Sequence, residues 1–174
     1  MNRAALGVGA MAVQRLAELV HARRNEAVLR QRGAVETGAA HYPVIVAVHV
    51  AWLASALVEG RRARRVARAP LVALGAAQAL RYWAIASLGP QWTTRILVDP
   101  TTPPVSTGPY RYLRHPNYLA VAVEMAAFPL VFGAGRTAAA FSVLNGAVLR
   151  TRISTEEGAR RVVARPADTG ASQA

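Results

Sequence analysis

Cysteine and lysine are both missing from this 174-residue chain. Without cysteine there is no disulfide, no thiolate metal site and no cysteine nucleophile. Without lysine, every one of the 21 basic residues is arginine, which the base composition of a GC-rich genome accounts for. Acidic residues are few, 9 against 21, and the formal net charge is +12. Such an excess raises nucleic-acid binding as a first thought. The arginines, however, flank apolar blocks and do not form one face. Arginine in that setting is a topology signal and a contact for lipid headgroups, so no nucleic-acid partner is expected. The four histidines, His21, His41, His49 and His115, lack metal-ligand spacing, and no metal is expected.

What the chain does have is apolar sequence in blocks: 53% of residues are hydrophobic and only 6% aromatic. An apolar run from Ala4 to Val13 follows Arg3. Gln14, Arg15 and Glu18 come directly after it, with no cleavage site, so it is expected to remain as the start of a first helix ending near Val20. Arg15 and Glu18 stand three apart and can pair within that helix. The stretch from His21 to Ala40 is polar. His41 to Glu59 is the clearest membrane helix, of about the length a bilayer requires. Tyr42 and Trp52 in it are anchors or packing residues, and His49 a helix-packing residue. The third block, Ala69 to Gly89, carries Gln78 and Arg81, and a charge at depth needs a partner. Gly89-Pro90 ends it. Trp83 and Trp92 are expected to pack, not to clamp a ligand, and Tyr112 and Leu113 to pack at the interface.

Residues 91–117 are polar and proline-rich, yet they hold Trp92, Ile96, Leu97, Val98 and tyrosines, as an ordered linker would. The last apolar stretch, Tyr118 to Leu149, is broken at Gly133-Ala134-Gly135-Arg136. Its thirty-two residues span roughly 48 Å at about 1.5 Å each. Two full crossings need roughly 60 Å. A shallow helical hairpin is therefore expected, entering and leaving on one side and bringing Asn117 and Arg150 together. Asn145 on its second leg is expected to hydrogen-bond between helices. By parity the linker, the tail and residues 21–40 share a side that collects twelve arginines, against seven opposite. That bias favours a cytoplasmic linker and tail, although Arg61-Arg62-Ala63-Arg64-Arg65 pulls the other way. The fold class expected is an all-α, multi-pass integral membrane bundle of four to five helices with a C-terminal hairpin.

Two polar clusters bracket that hairpin: Gly108-Pro109-Tyr110-Arg111-Tyr112-Leu113-Arg114-His115-Pro116-Asn117-Tyr118, and Arg150-Thr151-Arg152-Ile153-Ser154-Thr155-Glu156-Glu157. Held at one membrane face, they offer cations, hydrogen-bonding rings and paired carboxylates. Arginine forks onto a carboxylate, and glutamate accepts from hydroxyl and amine groups. This inventory suits a zwitterionic ligand carrying a carboxylate, an amine and ribose hydroxyls. Gly7-Val8-Gly9-Ala10 mimics a glycine loop, but no strand precedes it.

Arg114-His115-Pro116-Asn117-Tyr118 with Gly108-Pro109-Tyr110 resembles the signature of the isoprenylcysteine carboxyl methyltransferase family. Arg150 to Glu157 resembles that family's second signature, arginines followed by paired glutamates. The likeness runs from about Leu88 to Glu157. Upstream, Gln14-Arg15-Leu16-Ala17-Glu18, Glu36-Thr37-Gly38, His41-Tyr42-Pro43 and Trp52-Leu53 resemble a small bacterial branch linked to methylating alkylresorcinol and alkylpyrone lipids. The resemblance implies a membrane methyltransferase domain over 1–157, with the cofactor held by 90–157. It implies S-adenosylmethionine as donor, bound at the cytoplasmic face of the cell membrane. Tyr110, Arg114, His115, Pro116, Tyr118, Glu156 and Glu157 would contact that cofactor, and Arg150 or Arg152 would point at the acceptor oxygen. The acceptor would be a lipophilic small molecule reached from the surrounding membrane lipids. A phenolic or pyrone lipid comes first, a prenylated or other lipid carboxylate second and a phospholipid amine third; a non-catalytic membrane protein that keeps the fold is the alternative.

A phenol must lose a proton. Glu124, two helical turns from Asn117 on the same face, is either a base for that step or a structural partner of Arg81. In the family the paired glutamates open a further amphipathic helix. Here Gly158 and Arg160-Arg161 follow, and 158–174 is expected to be a short, disordered tail without that helix, leaving the pocket partly uncovered.

Overall fold

The computed structural model describes residues 2–63 and 65–164. Arg64 and most of the expected tail, beyond residue 164, lie outside the described residues. The chain is mostly helical: α1 is Arg3–Gln31, α2 Tyr42–Gly60, α3 Arg68–Leu88, α4 Pro116–Val131 and α5 Gly135–Ala164. Two short strands, β1 at Val35–Thr37 and β2 at Ile96–Val98, pair antiparallel with Glu36 opposite Leu97. Three residues are too few for alternation to reveal a strand, and the linkers had been expected to hold none. α2 and α3 fall on the second and third apolar blocks, and both are long and apolar enough to cross a bilayer.

α1 corrects the expectation of a helix ending near Val20. It runs for 29 residues, and its last three turns bury Ala22, Asn25 and Leu29 along one stripe. Arg23 and Arg24 face outward, so a segment polar in composition is amphipathic in place. Asn2 starts the helix by accepting from the backbone N–H groups of Ala4 and Ala5.

The helices run alternately between two ends. At one end the start of α1, the α2–α3 connection and the α4–α5 turn meet. A Cβ placed on Gly60 would lie 3.2 Å from the Ala4 side chain and 2.9 Å from that of Phe132. The Ala67 N–H donates to the Val131 carbonyl at 3.0 Å. The hairpin is therefore not shallow: its turn reaches the far end of the bundle. α4 covers about 24 Å in its 16 residues, and α5 continues well past Leu149 on the side away from the turn. Glu59 of α2 caps α5, its carboxylate accepting from the Arg136 N–H at 3.0 Å and from the Thr137 N–H at 2.8 Å. An anion at a helix N-terminus satisfies orphan donors and opposes the helix dipole.

The core lies between α1, α2 and α4, where Met11, Val48, Trp52, Met125, Phe128 and Phe132 cluster. Trp52 shows how α4 tolerates its internal proline. Pro129 has no N–H, so the Met125 carbonyl loses its helical donor. The Trp52 indole supplies one instead, at 3.1 Å. His49 behaves as a packing residue: its Nδ1 lies 2.9 Å from the Ile45 carbonyl and its ring meets Trp52 edge-on.

A second buried set is ionic. Arg81 of α3 forks onto Glu18 of α1 at 2.8 and 2.6 Å. Arg15 donates to Glu18 at 2.6 Å and also pairs with Glu124 of α4. Gln14 bridges Glu18 and Gln78 at 3.0 and 2.8 Å. The partner of Arg81 is thus Glu18, not Glu124. Two arginines and two glutamates cancel, which is what lets four charges stay at depth.

Candidate active site

Opposite the hairpin turn, the linker, the start of α4 and the second half of α5 surround one cavity of about 370 Å³. Each wall has a local cause. Gly89 ends α3 at a positive φ of 50°, and the chain turns into the linker. Asn25 of α1 catches it there, donating to the Trp92 carbonyl at 2.8 Å and the Gly89 carbonyl at 3.3 Å. β2 then docks on β1. Glu36 of β1 accepts from Arg95 at 2.5 Å and also pairs with Arg30, and the Arg95 guanidinium lies over the Tyr42 ring at 4.4 Å. Burial alone pushes the Glu36 carboxyl up; the bonds from Arg95 and Arg30 outweigh it and hold that carboxyl below its ordinary value.

Gly108 opens a tight turn, Gly108–Arg111, that carries Tyr110. Its φ is +59°, and a Cβ there would sit 2.0 Å from the Ser87 Oγ, so only glycine lets the turn lie against α3. Burial, and then the neighbouring Glu156 carboxylate, push the Tyr110 hydroxyl up to about 12. It stays a neutral donor across the working range of pH.

The two sequence clusters meet here. The Tyr118 hydroxyl donates to Glu156 at 2.5 Å and accepts from Arg152 Nε at 3.0 Å. Arg152 also donates to the Thr94 carbonyl at 2.7 Å, tying α5 to the linker. His115 stacks on Tyr118 with centroids 5.3 Å apart, and its Nε2 lies 3.4 Å from a Glu157 oxygen. Tyr110, Arg114, His115, Tyr118, Arg152, Glu156 and Glu157, all singled out from sequence, line this cavity.

Three others do not. Pro116 is fully buried at the first position of α4, where its fixed φ starts the helix without wasting an N–H. Arg150 is exposed and lies two residues from Arg152, about 200° round the helix, so only one of the two can face the cavity. Glu124 is buried in its pair with Arg15 and lies outside the cavity wall.

Sequence reasoning missed Arg160, Asn25 and Thr94. The expected break after Glu157 does not occur, because α5 continues to Ala164. Glu156 and Glu157 therefore lie within a helix, and Arg160, one turn on, reaches back to Glu156 at 3.0 Å and joins the cavity wall. The four-residue spacing was the available signal. Thr94 meets Arg152 through its backbone carbonyl, which no side-chain pattern reports.

A mostly helical chain with two segments long and apolar enough to cross a bilayer, and a mixed-charge cavity at one end, has the make-up of a membrane protein with a polar pocket. The family model for the isoprenylcysteine carboxyl methyltransferase (ICMT) family matches residues 70–160, and the chain belongs to that family. Membership makes it a membrane methyltransferase by descent. It is 36% identical to the uncharacterized protein YpbQ of Bacillus subtilis (strain 168) over 87% of this chain and 93% of that one. It is 28% identical to an uncharacterized protein of Haemophilus influenzae over 78% of this chain and 82% of that one. No solved structure matches the chain.

Proposed function

We propose that this protein is a multi-pass cell-membrane enzyme that methylates an oxygen of a lipophilic acceptor, using S-adenosylmethionine bound at the cytoplasmic face. The observation that carries this reading is the Arg152–Tyr118–Glu156 chain of hydrogen bonds across the cavity. It joins the start of α4 to the second half of α5 around one polar space, in a chain of a methyltransferase family.

The residues present fit the cofactor. A volume of about 370 Å³ is in the range of small-molecule sites. Glu156 and Glu157 suit an amine and ribose hydroxyls, and Arg114 suits a carboxylate. Tyr110 keeps its proton and donates. The cofactor supplies an electrophilic methyl on a sulfonium. The protein's part is placement, since the acceptor oxygen must sit about 3 Å from that methyl and in line with the departing sulfur. Arg152 is the arginine proposed to face the acceptor, because it lines the cavity and Arg150 does not. Glu124 is not proposed as a base, because its carboxylate is committed to Arg15.

The acceptor proposed is a long-chain phenol or pyrone of polyketide type. A prenylcysteine or other lipid carboxylate is the second reading, which the family's name favours. Calorimetry of the purified protein in detergent tests the enzyme: S-adenosylhomocysteine binds the parent and not His115→Ala. Absence of binding to the parent overturns it in favour of a non-catalytic membrane protein. Labelled methyl donor with extracted membrane lipids tests the acceptor, and label found only on protein overturns the lipid.

A further inference from the structure

Glu156 and Arg160 stand four apart on α5, the spacing at which helical side chains meet. Both oxygens of the Glu156 carboxylate are engaged. Oε2 accepts from the Tyr118 hydroxyl at 2.5 Å. Oε1 accepts twice from Arg160, from Nε at 3.2 Å and from Nη2 at 3.0 Å. A ligand amine that is to reach Glu156 must take one of these two places.

The two places differ in what it costs to give them up. The Tyr118 hydroxyl is held from its other side by Arg152, so opening that bond breaks the frame that joins α4 to α5. Arg160 is 48% exposed and bonds within its own helix. Water screens such a pair, and exposed ion pairs hold weakly. Arg160 is therefore the partner that yields. Its fork is also unspent: a guanidinium meets a carboxylate best by two parallel bonds to two oxygens, and on Glu156 both of its bonds end on one.

An α-amino acid carries an ammonium and a carboxylate on one carbon. Placed between Glu156 and Arg160, it gives each of them an opposite charge. The ammonium takes Oε1, and the guanidinium passes from Oε1 to the carboxylate, which offers it two oxygens. One ion pair becomes two and no charge is stranded. A ligand with the amine alone displaces Arg160 and returns nothing to it. Arg114 lines the cavity too and suits a carboxylate, but among the described arginines only Arg160 bonds Glu156 directly. Only Arg160 can couple the two charges.

We propose that Arg160 is a specificity-determining residue of this cavity. It is seated on Glu156 where the ligand's ammonium belongs, and it moves onto the α-carboxylate when an amino-acid end enters, so that the site reads both charges together. The proposal rests on the methyltransferase reading and assigns the amino-acid end of the cofactor within it.

Three ligands separate the charges. S-adenosylhomocysteine carries both, its decarboxylated form only the amine, and methylthioadenosine neither. Each is titrated by calorimetry into the full-length protein in detergent, for the parent, Arg160→Ala and Arg160→Lys. The parent is expected to prefer S-adenosylhomocysteine to the decarboxylated form by about tenfold or more. Arg160→Ala is expected to weaken S-adenosylhomocysteine by about tenfold and to leave methylthioadenosine within about twofold. It is expected to bind the decarboxylated form no more weakly than the parent does, because Glu156 is released. Arg160→Lys keeps the charge without the fork and is expected to fall between. If Arg160→Ala weakens all three ligands alike, or keeps the parent's preference for the carboxylate, the proposal is overturned and the cofactor reading stands on the parent's binding. A parent that binds none of the three overturns both.

Discussion

The Tyr118 hydroxyl, in the first turn of α4, donates to the Glu156 carboxylate on α5 at 2.5 Å, and the two residues stand 38 apart in sequence. With the contacts of Arg152 to Tyr118 and His115 to Glu157, it closes the hairpin at the end where the cavity lies. It also fixes Glu156, since the tyrosine oxygen is held from its other side by Arg152. Tyr118→Phe removes a hydrogen bond to a charged group, worth about 1.5–3 kcal/mol. S-adenosylhomocysteine affinity, read by calorimetry, is expected to fall by about tenfold or more, with helical content by circular dichroism unchanged.

The bond from Trp52 to the Met125 carbonyl exists because Pro129 cannot donate. Trp52→Phe leaves that carbonyl buried and unmet, a cost of about 1–3 kcal/mol on top of lost packing. Adding Pro129→Ala restores an N–H at the missing position. The double variant is therefore expected to melt above Trp52→Phe alone in detergent. Equal melting temperatures would mean the indole contributes packing only.

Glu124 separates a structural from a catalytic role. Removing one partner from a buried ion pair strands the other charge, at about 3–5 kcal/mol. Glu124→Gln is expected to lower the melting temperature sharply while leaving S-adenosylhomocysteine affinity within about twofold. A variant as stable as the parent but without methyl transfer would make Glu124 a base after all.

Acid should loosen the β1–β2 ribbon. Glu36 sits below its ordinary value of 4.5 because Arg95 and Arg30 bond its charged form. Unfolded, it takes a proton at the ordinary value; folded, it takes one only at lower pH. Its contribution is thus full above that ordinary value and is lost as pH falls through the depressed one. Melting temperature followed downward from neutral pH is expected to drop more steeply for the parent than for Glu36→Gln.

Much of this was legible before any fold was known. α2 and α3 stand out because lipid demands uninterrupted apolar helices of fixed length, and blocks of that length are visible in one dimension. The polar clusters stand out because tyrosines, arginines and glutamates are expensive beside apolar helices unless they bind something. Three-residue strands and the last turns of α1 were hidden, since their stability comes from what they pack against. Thr94 was hidden because it meets Arg152 through its backbone.

Residue order alone fixed that α2 and α3 are helical, which residues form the two polar clusters, and that the clusters flank a hairpin. Only the folded chain decided pairing: that Arg81 meets Glu18 and Glu124 meets Arg15, that Arg152 and not Arg150 turns inward, and that Arg160 reaches back to Glu156. Helical period and hydropathy are local and can be read along a chain. The choice among several arginines and glutamates of like chemistry depends on distances between helices, which packing alone sets.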